Sequence, residues 1–160
     1  MASTAAELDS RNVAAVDDTT WRYLSGTTDI DDSAQTETTS FNILTIEPQA
    51  NSPLLDCRVW LDLAKATTGF AAVETSITAS FYIARKVDGT NWRRQTLVEA
   101  ALSGTLAATR MMEFNIGHVS VDHDAAIFVT FSGDVTSDME LPYVVAYRGA
   151  QAPTVTAVAA

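Results

Sequence analysis

Ile77-Thr78-Ala79-Ser80-Phe81-Tyr82-Ile83-Ala84-Arg85-Lys86-Val87-Asp88-Gly89-Thr90-Asn91-Trp92 is the stretch on which the fold turns. Ile77, Ala79, Phe81 and Ile83 alternate with Thr78, Ser80 and Tyr82, and a period of two puts the sets on opposite faces of a strand. Val87-Asp88-Gly89-Thr90-Asn91 then reads as a hairpin turn. Glycine accepts positive φ there, and Asp and Asn satisfy turn backbone with their own side chains. The return strand runs over 92–98. A lone hairpin is marginal in water, so this one needs further strands to pack on.

The same period recurs on both sides. Residues 41–47 form a first strand, stopped by Pro48. After Pro53, Cys57, Val59, Leu61 and Leu63 face one way while Arg58, Trp60 and Asp62 face the other. Met112, Phe114 and Ile116 share a face within 110–116, and 126–131 follows, closed by Ser132-Gly133-Asp134. In 142–148, Tyr143, Val145 and Tyr147 oppose Val144 and Ala146. Over 97–109 the alternation fails. Val98-Glu99-Ala100-Ala101-Leu102 favours helix, yet Ser103-Gly104 stops it within two turns, so the stretch is expected to be a connection. About seven or eight short strands, separated by Gly, Pro and Asp turns without long helical patterns, indicate an all-β chain. The expected architecture is an antiparallel β-sandwich or jelly roll with an extended N-terminal arm, and doubly wound folds are excluded.

The flanks set the expected boundaries. Residues 1–40 hold eight acids against Arg11 and Arg22, a net of -6 out of -10 for the whole chain. They read as an extended acidic arm. Within it, 18–26 is expected to be a capped helical turn ending at Gly26, leaving Trp21, Tyr23 and Leu24 to be covered by something else. The body spans 41–148. Residues 149–160 are small and uncharged, and read as a free tail. The alternative is that Val155 and Val158 lie along a neighbouring subunit as an added strand.

A chain of 160 residues that is 47% hydrophobic can build one core. Its charge of -10 and pI near 4.4 oppose a phosphate backbone, so no nucleic acid partner is expected. No apolar run approaches the roughly 18 residues of a membrane span, and the start lacks the pattern of a secretion signal. Synthesis in a reducing cytoplasm fits the single cysteine, Cys57, which reads as a small buried hydrophobe.

Three arrangements bear on chemistry. His118 and His123 lie beside Asp122 and Asp124, but their spacing matches neither a helical zinc pair nor one face of a strand. Asp29-Ile30-Asp31-Asp32-Ser33 resembles the opening of a calcium loop, yet Ala34 stands where that loop needs glycine and Ser40 where it needs an acid. No nucleophile elbow and no phosphate-cradling glycine loop occurs. The expectation is therefore no catalytic, cofactor or metal residue, and no enzyme. One feature runs against the acidic background: Arg85, Lys86, Arg93 and Arg94 make the hairpin tip positive, which suits a docking contact.

A lysine-poor, acidic chain with a polar N-terminal arm, an Ala- and Thr-rich β body and no active-site motif resembles the capsid decoration, or cement, proteins of tailed bacteriophages. That resemblance implies a protein, often a homotrimer, on the outer capsid surface of the virion, where it reinforces contacts between major capsid protein subunits. Under that reading Trp21, Arg22, Tyr23 and Leu24 of the arm, with Arg85, Lys86, Arg93 and Arg94 of the tip, are the expected partner-binding residues. The alternative is a carbohydrate- or receptor-binding β-sandwich module of a phage tail or fibre. Trp60, Trp92 and Tyr82 would then form a stacking platform on one outer face.

Overall fold

The computed structural model of the chain describes residues 20–30, 40–65, 78–103, 110–133 and 139–157. Nine strands occur among them: β1 (Arg22–Ile30), β2 (Ser40–Glu47), β3 (Asp56–Asp62), β4 (Thr78–Lys86), β5 (Trp92–Ser103), β6 (Met111–Asn115), β7 (Ala125–Phe131), β8 (Met139–Arg148) and β9 (Thr154–Ala157). A 3-10 turn, Leu63–Lys65, follows β3. One sheet has the order β1-β8-β3-β6 and the other β5-β4-β7-β2-β9. All pairings are antiparallel.

The pairs nest. β4 pairs with β5, β3 with β6, β2 with β7 and β1 with β8. Successive shells of this nest fall in alternate sheets, as when one long antiparallel ribbon is wound around a core, and that winding is a jelly roll. The choice left open between a plain sandwich and a jelly roll is thereby resolved. β9 is an addition at the β2 edge.

The core follows the alternation. Cys57, Val59 and Leu61 of β3 and Met112 and Phe114 of β6 point inward, to meet Ala79, Phe81 and Ile83 of β4 and Ile127 and Val129 of β7. Phe81 meets Phe114 edge-on across the two sheets, with ring centroids 6.0 Å apart. Fully burying one such side chain is worth roughly 1.5–3 kcal/mol. The hairpin forms as expected, with Gly89 at φ 75 in its turn. The Asp88 carboxylate accepts from the Thr90 and Asn91 amides and from the Asn91 side chain.

Three expectations are corrected. First, the turn expected over 18–26 is not helical, and the arm does not extend through residue 40: Arg22–Ile30 is a sheet strand, paired with β8 along its whole length. Nine paired residues outweigh a single capped turn. Gly26 serves the sheet and not a helix end, because a Cβ there would stand 2.7 Å from the Tyr143 hydroxyl oxygen. The rest of the expected arm, residues 1–19 and 31–39, lies outside the described residues. Second, 97–103 is not a connection. β5 continues to Ser103 through register shifts against β4, and Ala101, at φ 49, donates its amide to the Ser80 hydroxyl. These irregularities let a segment without clean alternation keep its partner, and pairing overrides helix propensity. Third, the expected free tail contributes β9, which pairs with β2 of its own chain. Val158 lies outside the described residues.

Candidate functional site

The outward side of the four-stranded sheet is shaped by β8, one of its two inner strands. Register sets Ala146 of β8 between Tyr23 of β1 and Arg58 of β3, and Val144 between Ser25 and Trp60. Small side chains on the middle strand, flanked by long and aromatic ones, leave a trough along β8. It opens into a groove of about 440 Å³ lined by Tyr23, Trp60, Met111, Pro142, Tyr143 and Val144, with Asp62 and Lys65 as its polar members. Those two form an ion pair with each other at 3.8 Å. A recess of about 110 Å³ shares Tyr23 and Trp60 with the groove and reaches Trp21, Arg58 and Ala146.

Cations gather at that recess. The Arg58 and Arg148 guanidinium carbons lie 5.2 and 5.0 Å from the Trp21 ring centroid. Both distances suit cation–π attraction. Arg58 is 4.0 Å from Glu113 and Arg148 is 3.4 Å from Asp56, so each stacked cation also has a carboxylate within ion-pair range. The face is nonetheless apolar in character: Tyr23 is 65% and Met111 61% exposed.

The four arm residues expected to bind a partner are divided by the sheet. Trp21 and Tyr23 line the outer face. Arg22 stacks 5.0 Å from the Tyr147 ring and donates to the Gly149 carbonyl at 2.8 Å, while Leu24 packs against the core. The hairpin cations are divided as well. Arg85 donates to the carbonyls of Ile116 and His118, and burial lowers its pKa. Lys86 pairs with Asp124 at 3.5 Å and covers the Trp92 ring. Arg94 lies over Tyr82 and donates to Ser40, and Arg93 reaches the Trp92 carbonyl at 3.5 Å. Three of the four therefore brace the body.

The stacking platform expected from Trp60, Trp92 and Tyr82 does not assemble. Trp60 belongs to β3 in one sheet, whereas Tyr82 and Trp92 belong to β4 and β5 in the other. Arg58, Arg148, Met111, Val144 and Ala146 are face residues that the sequence reading did not single out. Their signal was present only as outward positions in β3, β6 and β8, and the strand order was needed to bring them together.

Elsewhere, Cys57 is buried, and burial, with Asp56 adding to it, pushes its thiol up to about 12. Asp88 is held well below the ordinary carboxylate range by the Asn91 and Thr90 donors. The His118 carbonyl accepts from Arg85, and the His123 amide donates to the Ser120 carbonyl between β6 and β7. Among the described residues no three His, Cys, Asp or Glu side chains gather to hold a metal ion. Asp29 is a buried residue of β1, and Asp31 to Ser33 of the calcium-like stretch lie outside the described residues.

No family model and no curated protein matches the chain. Among solved structures, it is similar to the infectious bursal disease virus VP2 subviral particle, at 14% identity and a TM-score of 0.41. The match covers 89% of this chain and 38% of that one, well under two thirds of its length. At that level it transfers neither a residue nor a role.

Proposed function

We propose that this chain is a structural protein that decorates a viral shell, binding the outer surface of the capsid and reinforcing contacts between major capsid protein subunits as a homo-oligomer. The observation that carries the reading is the outer face of the β1-β8-β3-β6 sheet. Trp, Tyr, Arg and Met are the residue types enriched where protein surfaces meet, and Trp21, Tyr23, Arg58, Trp60, Met111 and Arg148 stand together there. Exposed apolar surface of this kind marks interaction sites on folded proteins. The Trp21 ring is held by the Arg58 and Arg148 guanidinium groups stacked on it, so its docking carries little ordering cost.

Such a protein has no chemistry of its own to perform. A small module repeated over a shell gains its hold from many modest contacts, and linking copies multiplies them. The acidic balance of the whole chain, -10, keeps decorated particles mutually repulsive. A glycan-binding role has less to support it, because Asp62 and Lys65, the groove's polar members, are already paired with each other.

The test is co-sedimentation of the purified chain with heads from the native source. The unaltered chain should travel with the heads, and Tyr23→Ala with Trp60→Ala should leave it in the supernatant. A chain that stays in the supernatant without substitution overturns the reading.

A further inference from the structure

We propose that Met111 is a redox modification site: a hydroperoxide converts its thioether to the sulfoxide, and the groove between Tyr23 and Trp60 then loses its hold on a docked surface. The inference rests on the reading of this face as a docking surface and adds its regulation.

The sulfur atoms of the chain single out Met111. There are five, one in Cys57 and four in methionines. Met1 lies outside the described residues. Cys57 and Met139 are fully buried and Met112 is 5% exposed, whereas Met111 is 61% exposed. Cys57 is protected twice, because the thiolate is the reactive form and burial, with Asp56 adding to it, pushes the thiol up to about 12. Among the described residues, Met111 is therefore the one sulfur residue open to solvent.

The contrast is built by one strand. β6 alternates, so Met112 points into the core opposite Leu61 of β3, while Met111 stands opposite Asp62 on the outer face. Adjacent residues of the same type differ in access through the pleat alone. β6 is also an edge of its sheet, which opens Met111 to approach from the side.

Oxidation changes what Met111 gives the groove. It lines that groove with Tyr23, Trp60, Pro142 and Val144, and its thioether is an adaptable apolar contact. In the reaction the sulfur lone pair attacks the distal oxygen of the hydroperoxide and the O–O bond breaks. The distal proton passes to the departing oxygen, so sulfur is oxidised and the peroxide is reduced to water or an alcohol. The sulfoxide places a strong acceptor where a docked surface brings apolar groups, and an acceptor buried without a donor opposes the contact. A methionine sulfoxide reductase reverses the step, two thiols giving a disulfide and water. Since Met111 lies outside the core, the fold survives its oxidation, whereas the same change at Met112 or Met139 disrupts the packing.

The test treats the folded chain with dilute hydrogen peroxide and maps the added oxygen by tandem mass spectrometry, which separates Met111 from Met112. Met111 is expected to react about 10-fold faster than Met112 and Met139, with circular dichroism unchanged, and urea should abolish the difference. In co-sedimentation the oxidised chain should bind heads about 10-fold more weakly, and reductase with thiol should restore binding. Met111→Leu should bind as the unaltered chain does and ignore peroxide. A chain that fails to bind heads before oxidation overturns the decoration reading and this regulation with it. Binding that survives oxidation of Met111, equal oxidation of the three methionines in the folded chain, or a peroxide effect retained in Met111→Leu overturns the regulation alone.

Discussion

The two outer faces of the jelly roll carry similar residues to opposite effect. On the five-stranded sheet, Trp92 packs against Phe128 at 5.8 Å, Lys86 covers Trp92, and Arg94 covers Tyr82. Aromatic and cationic groups there satisfy one another. On the four-stranded sheet, Tyr23 and Trp60 are separated by the small residues of β8 and leave a groove between them. The difference lies in what the middle strand presents. Phe128 of β7 stands opposite Tyr82 and fills the space that Val144 and Ala146 of β8 leave empty. A face rich in aromatics therefore leaves a groove only where the strand between them is thin.

The largest effect that would break this comparison is on association. Trp60→Ala should weaken binding to heads by about 2 kcal/mol or more, roughly 30-fold, in the co-sedimentation assay. Trp92→Ala should leave binding unchanged and lower only the urea midpoint. Equal losses from both would erase the distinction between the faces.

Next in size is the hairpin. Arg85→Met removes the donors to two carbonyls, and should cost about 1–3 kcal/mol in urea unfolding. Arg93→Ala should cost far less, since Arg93 is exposed, reaches its neighbour's carbonyl at 3.5 Å and adds only the smallest of the pulls on the Asp88 carboxylate. A silent Arg85→Met would return the tip to the docking role expected from its charge.

A smaller effect appears in alkali. The folded Cys57 thiol keeps its proton up to about 12 against an ordinary 9.0. Unfolded chains therefore release that proton first, and stability should fall between these values as pH rises. Cys57→Ala should flatten that part of the profile of unfolding midpoint against pH. The smallest effect is in acid. The Asp88 carboxylate is stabilised in its charged form by the turn. Its contribution is full above the ordinary carboxylate range and lost as pH falls through the lowered folded value. Asp88→Asn should remove that slope in acid titrations followed by circular dichroism.

What was legible in the sequence follows from burial on one face. β3 and β6 alternate strictly, and the hairpin adds turn residues that only one geometry accepts, so these elements declare themselves. β1 does not, because its buried residues, Thr28, Asp29 and Ile30, are consecutive at one end and its alternation is lost. β9 has only Val155 and Ala157 facing inward, too short a record to distinguish from a tail. The site was legible by residue type alone. Trp21 and Tyr23 stood out as large groups in a polar stretch, but their neighbours Arg58, Arg148 and Val144 come from β3 and β8, and no local pattern states that β8 lies between β1 and β3.

The hydrogen bond from Arg22 to the Gly149 carbonyl joins groups 127 positions apart. Because the pairs nest around β4 and β5, β1 is made before every other described strand and its mate β8 after all of them but β9. Order must spread from the hairpin outward, and the high separation of the outermost contacts makes that closure slow. Through this interval Leu24 and Ile30, which the finished fold packs into or against its core, are exposed on an unmatched strand, and such surface is where partly folded chains associate.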